Sequence, residues 1–188
     1  MNTNEKIVVA IVGMCGSGKS VATEFFVKNG FNKIYFGAVT LEAITAQRLE
    51  ITPDNERSVR EALREKDGLA AYAKYLLPRI IENSSKGDVV LDGLYSWSEY
   101  KYLMKNLDSR LIVVAVISDK QIRFERLSQR DFRPLSKEDA EKRDYSEIEK
   151  LEKGGPIAEA DYYIINNSTM DSFISQLTEI LAKIRANN

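Results

Sequence analysis

Short runs rich in apolar and β-branched residues alternate along the chain with longer amphipathic stretches. The runs predict strands at 7–12, 33–36, 89–91, 111–117 and 162–165, and the stretches between them predict helices. Strands that alternate with helices form a parallel sheet covered by helices on both faces. The pattern therefore predicts a three-layer α/β/α fold around a mainly parallel, five-stranded sheet.

Local signals mark the ends of several helices. Thr52 followed by Pro53 predicts an N-cap with proline at the first helical position, and Ser96 with Glu99 three residues later predicts a capping box. Three glycines that follow helical runs are candidates for the residue just past a helix end: Gly30, Gly68 and Gly154.

No internal repeat, Pro/Ser-rich linker or low-complexity tract interrupts the 188 residues, which predicts a single domain over 1–188. The stretch 130–156 is charged and short of apolar residues. It is expected to form a helical lid that projects from the sheet domain and moves.

Composition narrows the classes of partner. The chain has 27 Lys and Arg against 28 Asp and Glu, so no overall positive charge favours a nucleic acid. A hydrophobic share of 44% is typical of a globular protein rather than a membrane chain. The single cysteine, Cys15, forms no internal disulfide and no secretory leader precedes Ile7, so a cytoplasmic protein is expected.

Histidine is absent from the sequence. This removes the commonest general base, the commonest transition-metal ligand and the Ser-His or Cys-His nucleophile pairs. Any chemistry must therefore use carboxylates, lysine, arginine and a hard metal ion.

The first predicted strand runs into a glycine-rich segment, 13–20, that matches G-x-x-x-x-G-K-[ST] in the strand–loop–helix setting this motif requires. Such a loop points backbone N–H groups at a β-phosphate; here Lys19 would bridge the β- and γ-phosphates of ATP, and Ser20 would ligate Mg²⁺. A chance glycine-rich turn is the weaker alternative, and Cys15 is expected to be a small filler. The predicted nucleotide-binding residues here are Gly13, Gly16, Ser17, Gly18, Lys19, Ser20 and Val21.

The third predicted strand ends in Asp92, which Gly93 follows. In a parallel sheet such an end lies at the crevice where ligands bind. Asp92 is a candidate for the carboxylate that orients Mg²⁺ or accepts the proton of an attacking hydroxyl. On its own it would be explained as a turn or cap residue; together with the loop, the catalytic interpretation is favoured.

Three arginines, Arg123, Arg126 and Arg130, are spaced by three and four and would share one helical face. Like charges at that spacing destabilise an isolated helix, so an anion such as a triphosphate would account for them. Arg126 and Arg130 are the candidate catalytic arginines, and Arg133 and Arg143 follow in the same charged segment. A solvated face with paired acids is the alternative for any single arginine.

The chain resembles the adenylate kinase and dephospho-CoA kinase group of P-loop kinases. The likeness rests on four features of the sequence: 13–20, 91–93, the pair Arg126 and Arg130, and 160–166. The likeness spans nearly the whole chain and is greatest to dephospho-CoA kinase-like or adenylate kinase-related proteins. It implies that Asn166 lies near the adenine of ATP. It also implies an acceptor-binding region over 37–82, with Arg64 as a phosphate clamp.

The sequence departs from both kinases at the acceptor side. Phe36-Gly37-Ala38 stands where dephospho-CoA kinases have acidic residues, and Leu94-Tyr95-Ser96-Trp97 follows Asp92-Gly93 where adenylate kinases have an arginine. The prediction is an ATP- and Mg²⁺-dependent kinase, monomeric or homodimeric, whose acceptor is dephospho-CoA or a nucleoside monophosphate. A regulatory ATPase or switch without an acceptor stays open, and a degenerate structural P-loop protein is disfavoured because Lys19, Ser20 and Asp92 are all present.

Overall fold

The computed structural model of the protein describes residues 6–131 and 133–187. Its strands are β1 (Ile7–Val12), β2 (Asn32–Tyr35), β3 (Val89–Asp92), β4 (Arg110–Ile117) and β5 (Tyr162–Ile165). Its helices are α1 (Lys19–Lys28), α2 (Ala38–Ala46), α3 (Pro53–Asp67), α4 (Ala71–Lys86), α5 (Trp97–Asn106), α6 (Lys120–Ser128), α7 (Lys137–Glu149), α8 (Gly154–Ala158) and α9 (Met170–Ala186). Each strand begins and ends within one residue of its predicted boundary.

The sheet has the order β2-β3-β1-β4-β5, and every pair of neighbouring strands is parallel. β1 is central, and all of its residues are buried, as its uninterrupted apolar run predicts. Ile11 of β1 is in register with Asp92 of β3. The carboxyl ends of these two strands therefore lie side by side, so the loop after β1 and the end of β3 face the same crevice.

Alternate residues of the sheet face two apolar cores. Val8 and Ala10 belong to the core that includes Leu76 of α4 and Leu103 of α5. Val9 and Ile11, on the opposite side, belong to the core that includes α1 and α9 residues such as Phe26 and Leu177. The predicted three-layer arrangement, with helices on both faces of a parallel sheet, is confirmed.

The helix-end predictions hold at four of five places. Thr52 accepts a hydrogen bond from the Asn55 amide, and Ser96 and Glu99 form the full capping box of α5. Gly30 and Gly68 follow α1 and α3. Gly154 was expected to follow a helix end but is the first residue of α8, because the chain turns through Glu152 and Lys153 after α7 and starts a new helix.

In the segment 130–156, predicted as a projecting lid, α7 and the start of α8 pack against the rest of the protein. Ala140 of α7 is buried with Cys15 and with Leu127 of α6. The Gly155 backbone lies so close to Trp97 that an added Cβ would be 2.8 Å from that ring. Both contacts hold the segment over the crevice, and its movement stays a prediction.

No helix in the described ranges, 6–131 and 133–187, is long and apolar enough to cross a membrane.

Candidate active site

A cavity of about 310 Å³ opens at the carboxyl edge of the sheet, between the loop after β1, helix α7 and the turn that precedes α8. The lining of this cavity includes seven of the predicted site residues: Gly16, Gly18, Lys19, Ser20, Asp92, Arg126 and Arg130. Residues from the loop, the end of β3, α6 and the lid segment thus meet at one place, although they are far apart in the sequence.

The loop after β1 depends on glycine at three positions with positive φ: Gly13 (142°), Gly16 (83°) and Gly18 (107°). A Cβ at Gly13 would lie 2.3 Å from the Val116 carbonyl oxygen. Any side chain there would collide with β4, so the loop is bent close against the sheet. Ser17 is buried in the loop, and its hydroxyl oxygen has no hydrogen-bond partner within the described structure. Val21 packs against the α1/α9 core rather than lining the cavity.

Lys19 is the first residue of α1, and its Nζ donates a hydrogen bond to the Met14 carbonyl oxygen at 2.9 Å. Its ammonium therefore folds back over the loop. Burial, and next the positive charge of Lys153, lower the pKa of Lys19 from 10.5 to about 7. An anion in the cavity would stabilise the charged form and raise that pKa again.

Asp92 presents its carboxylate to the cavity and pairs with Lys33 of β2, at 3.3 Å between Oδ2 and Nζ. Lys33 also pairs with Glu24 at 3.0 Å. Ser96, and not Asp92, caps the helix that follows, so the carboxylate is not used as a helix cap. The lysine next to Asp92 was not expected from the sequence, because it comes from a neighbouring strand.

Ser20 and Asp92 offer hard oxygen ligands in one cavity, which fits Mg²⁺. Within residues 6–131 and 133–187 no group of three or more acidic, cysteine or histidine side chains could enclose a metal ion. Mg²⁺ commonly binds through one or two protein oxygens, with water and substrate phosphates completing its coordination. The donor set therefore suits a cation that arrives with a nucleotide.

Arg123 does not face the cavity as its spacing predicted. Its guanidinium is buried, pairs with both carboxylate oxygens of Asp144 at 2.6 and 3.0 Å, and donates to the Cys15 carbonyl oxygen at 3.0 Å. The prediction was wrong because the acid that neutralises Arg123 lies on α7, at a sequence distance that helical periodicity does not reveal. Arg123 therefore anchors the loop after β1 and helix α7 to α6.

Removing one partner of this pair should destabilise the fold. Arg123→Met leaves Asp144 buried and unpaired, and we expect a loss of about 3–5 kcal/mol in the free energy of unfolding by urea. The double variant Arg123→Met/Asp144→Leu should recover much of that loss. Lys120→Met, which breaks an exposed pair with Glu141, is the control and should change little. Equal effects of Arg123→Met and Lys120→Met would contradict the anchoring role.

Arg126 lines the cavity, and hydrogen bonds to the residues that follow β4 and β5 hold its guanidinium. It donates to Ser118 Oγ at 3.1 Å and to the Asn166 carbonyl oxygen at 3.0 Å. Asn166 in turn donates from its side-chain nitrogen to the Ser17 carbonyl oxygen at 2.8 Å. Asn166 therefore supports the loop from behind, next to Gly18, and its proximity to adenine stays a prediction.

Arg130 lies two residues beyond the end of α6, so the helical-face argument does not apply to it. It nevertheless reaches the cavity, where its Nη1 lies 4.0 Å from Cys15 Sγ. Arg64, the proposed phosphate clamp, does not line this cavity; its guanidinium carbon lies 5.0 Å from the ring centre of Tyr72. The Arg64 Nε is buried without a hydrogen-bond partner in the described part of the chain.

Five lining residues were not predicted as site residues: Cys15, Tyr95, Arg143, Glu147 and Lys153. Glu147 accepts one hydrogen bond from Arg143 Nε at 3.2 Å and another from Lys153 Nζ at 2.6 Å. The Lys153 Nζ lies 4.9 Å from the ring centre of Tyr95. Only the i,i+4 spacing of Arg143 and Glu147 is visible in the sequence, and that spacing is common on exposed helices.

Comparison with known proteins identifies the family. The sequence profile of a family described as an AAA domain matches residues 9–152. A UPF0200 protein of Thermococcus onnurineus is 34% identical over 184 residues, covering 96% of this chain and 99% of the relative. The chain belongs to the UPF0200 family.

Solved structures show what fold this UPF0200 protein has. A gluconokinase from Sinorhizobium meliloti superposes with a TM-score of 0.59 at 19% identity, covering 97% of this chain and 94% of the other. A dephospho-CoA kinase from Campylobacter jejuni does so with a TM-score of 0.53 at 18% identity, covering 94% and 96%. The UPF0200 chain therefore has a P-loop kinase-like fold, which confirms the resemblance seen in the sequence.

Proposed function

We propose that this UPF0200 protein is an ATP-dependent kinase that transfers the γ-phosphoryl group to a nucleotide-like small molecule, dephospho-CoA or a nucleoside monophosphate. The observation that carries the proposal is the convergence of five cationic side chains on the cavity beside Asp92: Lys19, Arg126, Arg130, Arg143 and Lys153. Phosphoryl transfer depends mainly on positioning and charge neutralisation, and these cations supply both without histidine.

The proposed reaction needs few protein groups. The bond between the γ-phosphorus and the oxygen that links it to the β-phosphorus breaks, a bond from the acceptor oxygen to the γ-phosphorus forms, and ADP leaves. If the acceptor is a hydroxyl, Asp92 takes its proton; a phosphate acceptor has no such proton to lose. Mg²⁺, held by Ser20 and Asp92, would neutralise phosphate charge, while Lys19 and Arg130 hold the phosphoryl oxygens.

The charge of the lining favours an anionic acceptor. Five cations face two acids, Asp92 and Glu147, so positive charge remains after Mg·ATP has bound. We place the acceptor along 37–82, where the buried Nε of Arg64 has no hydrogen-bond partner among the described residues and can donate to an anion. Adenine is proposed to lie near Asn166, and the protein to act in the cytoplasm as a monomer or homodimer.

A coupled assay of ADP release tests the proposal. The purified protein is given Mg·ATP with dephospho-CoA, or with each ribo- or deoxynucleoside monophosphate in turn. We expect ADP release that depends on one of these acceptors and is absent in Lys19→Ala. ADP release at the same rate without any acceptor would contradict the kinase and support a regulatory ATPase.

Asp92→Asn should separate binding from chemistry. The loop backbone supplies most of the ATP affinity, so the Kd for Mg·ATP should change little, whereas kcat should fall by about 10²-fold or more because a metal-orienting or proton-accepting carboxylate is lost. Calorimetry and the coupled assay give the two values. Asp108→Asn, at an exposed position, is the matched control. If Asp92→Asn left both values unchanged, Asp92 would be a structural residue only.

A further inference from the structure

Lys153 is a buried lysine in the wall of the cavity. It is only 1% exposed, and its Nζ lies 2.6 Å from Glu147 Oε2 and over the ring of Tyr95. Lysine is almost never fully buried unless it is paired, because removing its charge from water is costly. Its location therefore requires an anion at all times, and Glu147 is that anion in this structure.

Glu147 neutralises two cations at once. Its Oε2 accepts from Lys153 and its Oε1 accepts from Arg143 at 3.2 Å. Burial by itself raises the pKa of Glu147, but Lys153, Arg143 and Lys19 together hold that pKa below 4.5. The carboxylate therefore stays charged and uses both oxygens on cations that face the cavity, as a phosphate group placed there would do.

The backbone turn after α7 determines the position of Lys153. The chain leaves α7 through a turn in which the Lys153 amide donates to the Glu147 carbonyl oxygen at 3.1 Å. Glu152, just before Lys153, has a φ of 53°, a left-handed conformation that is unfavourable for a residue other than glycine. Backbone strain of this kind often occurs at functional sites. Here the strained residue immediately precedes Lys153, whose side chain lines the cavity.

We propose that Lys153 is a ligand of the transferring phosphoryl group and that Glu147 is its resident counter-anion, which the γ-phosphate displaces. The inference rests on the proposed function for the identity of the anion. Lys153 would act from the lid side of the cavity while Lys19 acts from the loop side. Glu147 is then a positioning residue that keeps Lys153 charged and in place while the cavity is empty of phosphate.

Nucleotide binding, measured by calorimetry, tests this without turnover. Mg·ADP and the non-hydrolysable β,γ-imido analogue of ATP are the two probes, because only the analogue has a γ-phosphate. Lys153→Met should weaken analogue binding by about tenfold or more and ADP binding far less. Glu147→Gln should bind the analogue as tightly as the unaltered protein or more tightly, because the competitor for Lys153 is gone. Lys150→Met, an exposed lid lysine, is the matched control.

A purely structural ion pair gives the opposite pattern. In that case Lys153→Met and Glu147→Gln would weaken both probes together, and the double variant Lys153→Met/Glu147→Gln would restore binding of the analogue, which would overturn the proposal. Our proposal expects the double variant to bind the analogue as weakly as Lys153→Met. Thermal unfolding of each variant shows whether that variant is folded before its binding is compared.

The binding result and the acceptor screen can fail separately. Loss of γ-phosphate discrimination in Lys153→Met supports the inference even if no tested molecule accepts the phosphoryl group. Conversely, acceptor-dependent turnover that is unchanged in Lys153→Met would overturn the inference and leave the kinase intact.

Discussion

Arg130→Ala is expected to lower kcat by about 10³-fold or more, while the KM for ATP changes much less. Arginines that stabilise the charge of a transferring phosphoryl group contribute on this scale in P-loop enzymes. Arg130 is suited to that role because it lines the cavity, and its contact to Cys15 Sγ, at 4.0 Å, is long and weak. Its guanidinium can therefore move to the substrate without breaking a strong hydrogen bond.

Steady-state kinetics with the identified acceptor measure this effect. Arg126→Ala should behave differently, since Arg126 also holds Ser118 and Asn166 and its loss should raise the KM for ATP as well as lower kcat. The double variant should lose less than the sum of the two single losses, because neighbouring residues in one site are not additive. Arg110→Ala, at an exposed position where β4 begins and on the edge of the sheet opposite the cavity, is the control. A rise in KM with kcat intact would restrict Arg130 to ground-state phosphate binding.

Lys19→Ala is expected to cost about 3–4 kcal/mol of transition-state stabilisation, or roughly 10³-fold in kcat, because a preorganised positive charge on the β- and γ-phosphates is lost. The coupled ADP assay measures it, with Lys28→Ala in the last turn of the same helix as the control. Near-normal turnover in Lys19→Ala would remove the phosphate loop from the mechanism.

The lowered pKa of Lys19 predicts a second difference between the unaltered protein and Lys19→Ala, in proton uptake on nucleotide binding. Because that pKa is about 7 without ligand, the side chain is largely neutral at pH 8 and must take up a proton when phosphate binds. Nucleotide affinity should therefore be full below pH 7 and fall as the pH rises above it. Calorimetry at pH 8, in buffers of different ionisation enthalpy, should show proton uptake in the unaltered protein and none in Lys19→Ala. Equal uptake in both would assign the proton to another group.

Much of the fold and part of the site followed from local sequence. The apolar run of β1, the glycines of the loop and the strand that ends in Asp92 are continuous segments whose conformations depend on their own residues and on backbone sterics. Parallel strands bring their carboxyl ends to one edge, so placing Asp92 near Lys19 needed only the strand pattern. For the same reason four predicted residues of the motif, Gly16, Gly18, Lys19 and Ser20, line the cavity.

The tertiary structure decided which charges face the cavity. Arg123, Arg126 and Arg130 look alike in the sequence, yet Arg123 is buried against Asp144, because α7 packs against α6. Lys153 looks like any lysine of a charged segment, yet the turn after α7 buries it beside Glu147. The sequence by itself determined the strands, the loop and the supply of charge. Which charges are neutralised depends on contacts between segments distant in the chain, because Coulomb and desolvation energies follow distance and burial in space rather than spacing along the sequence.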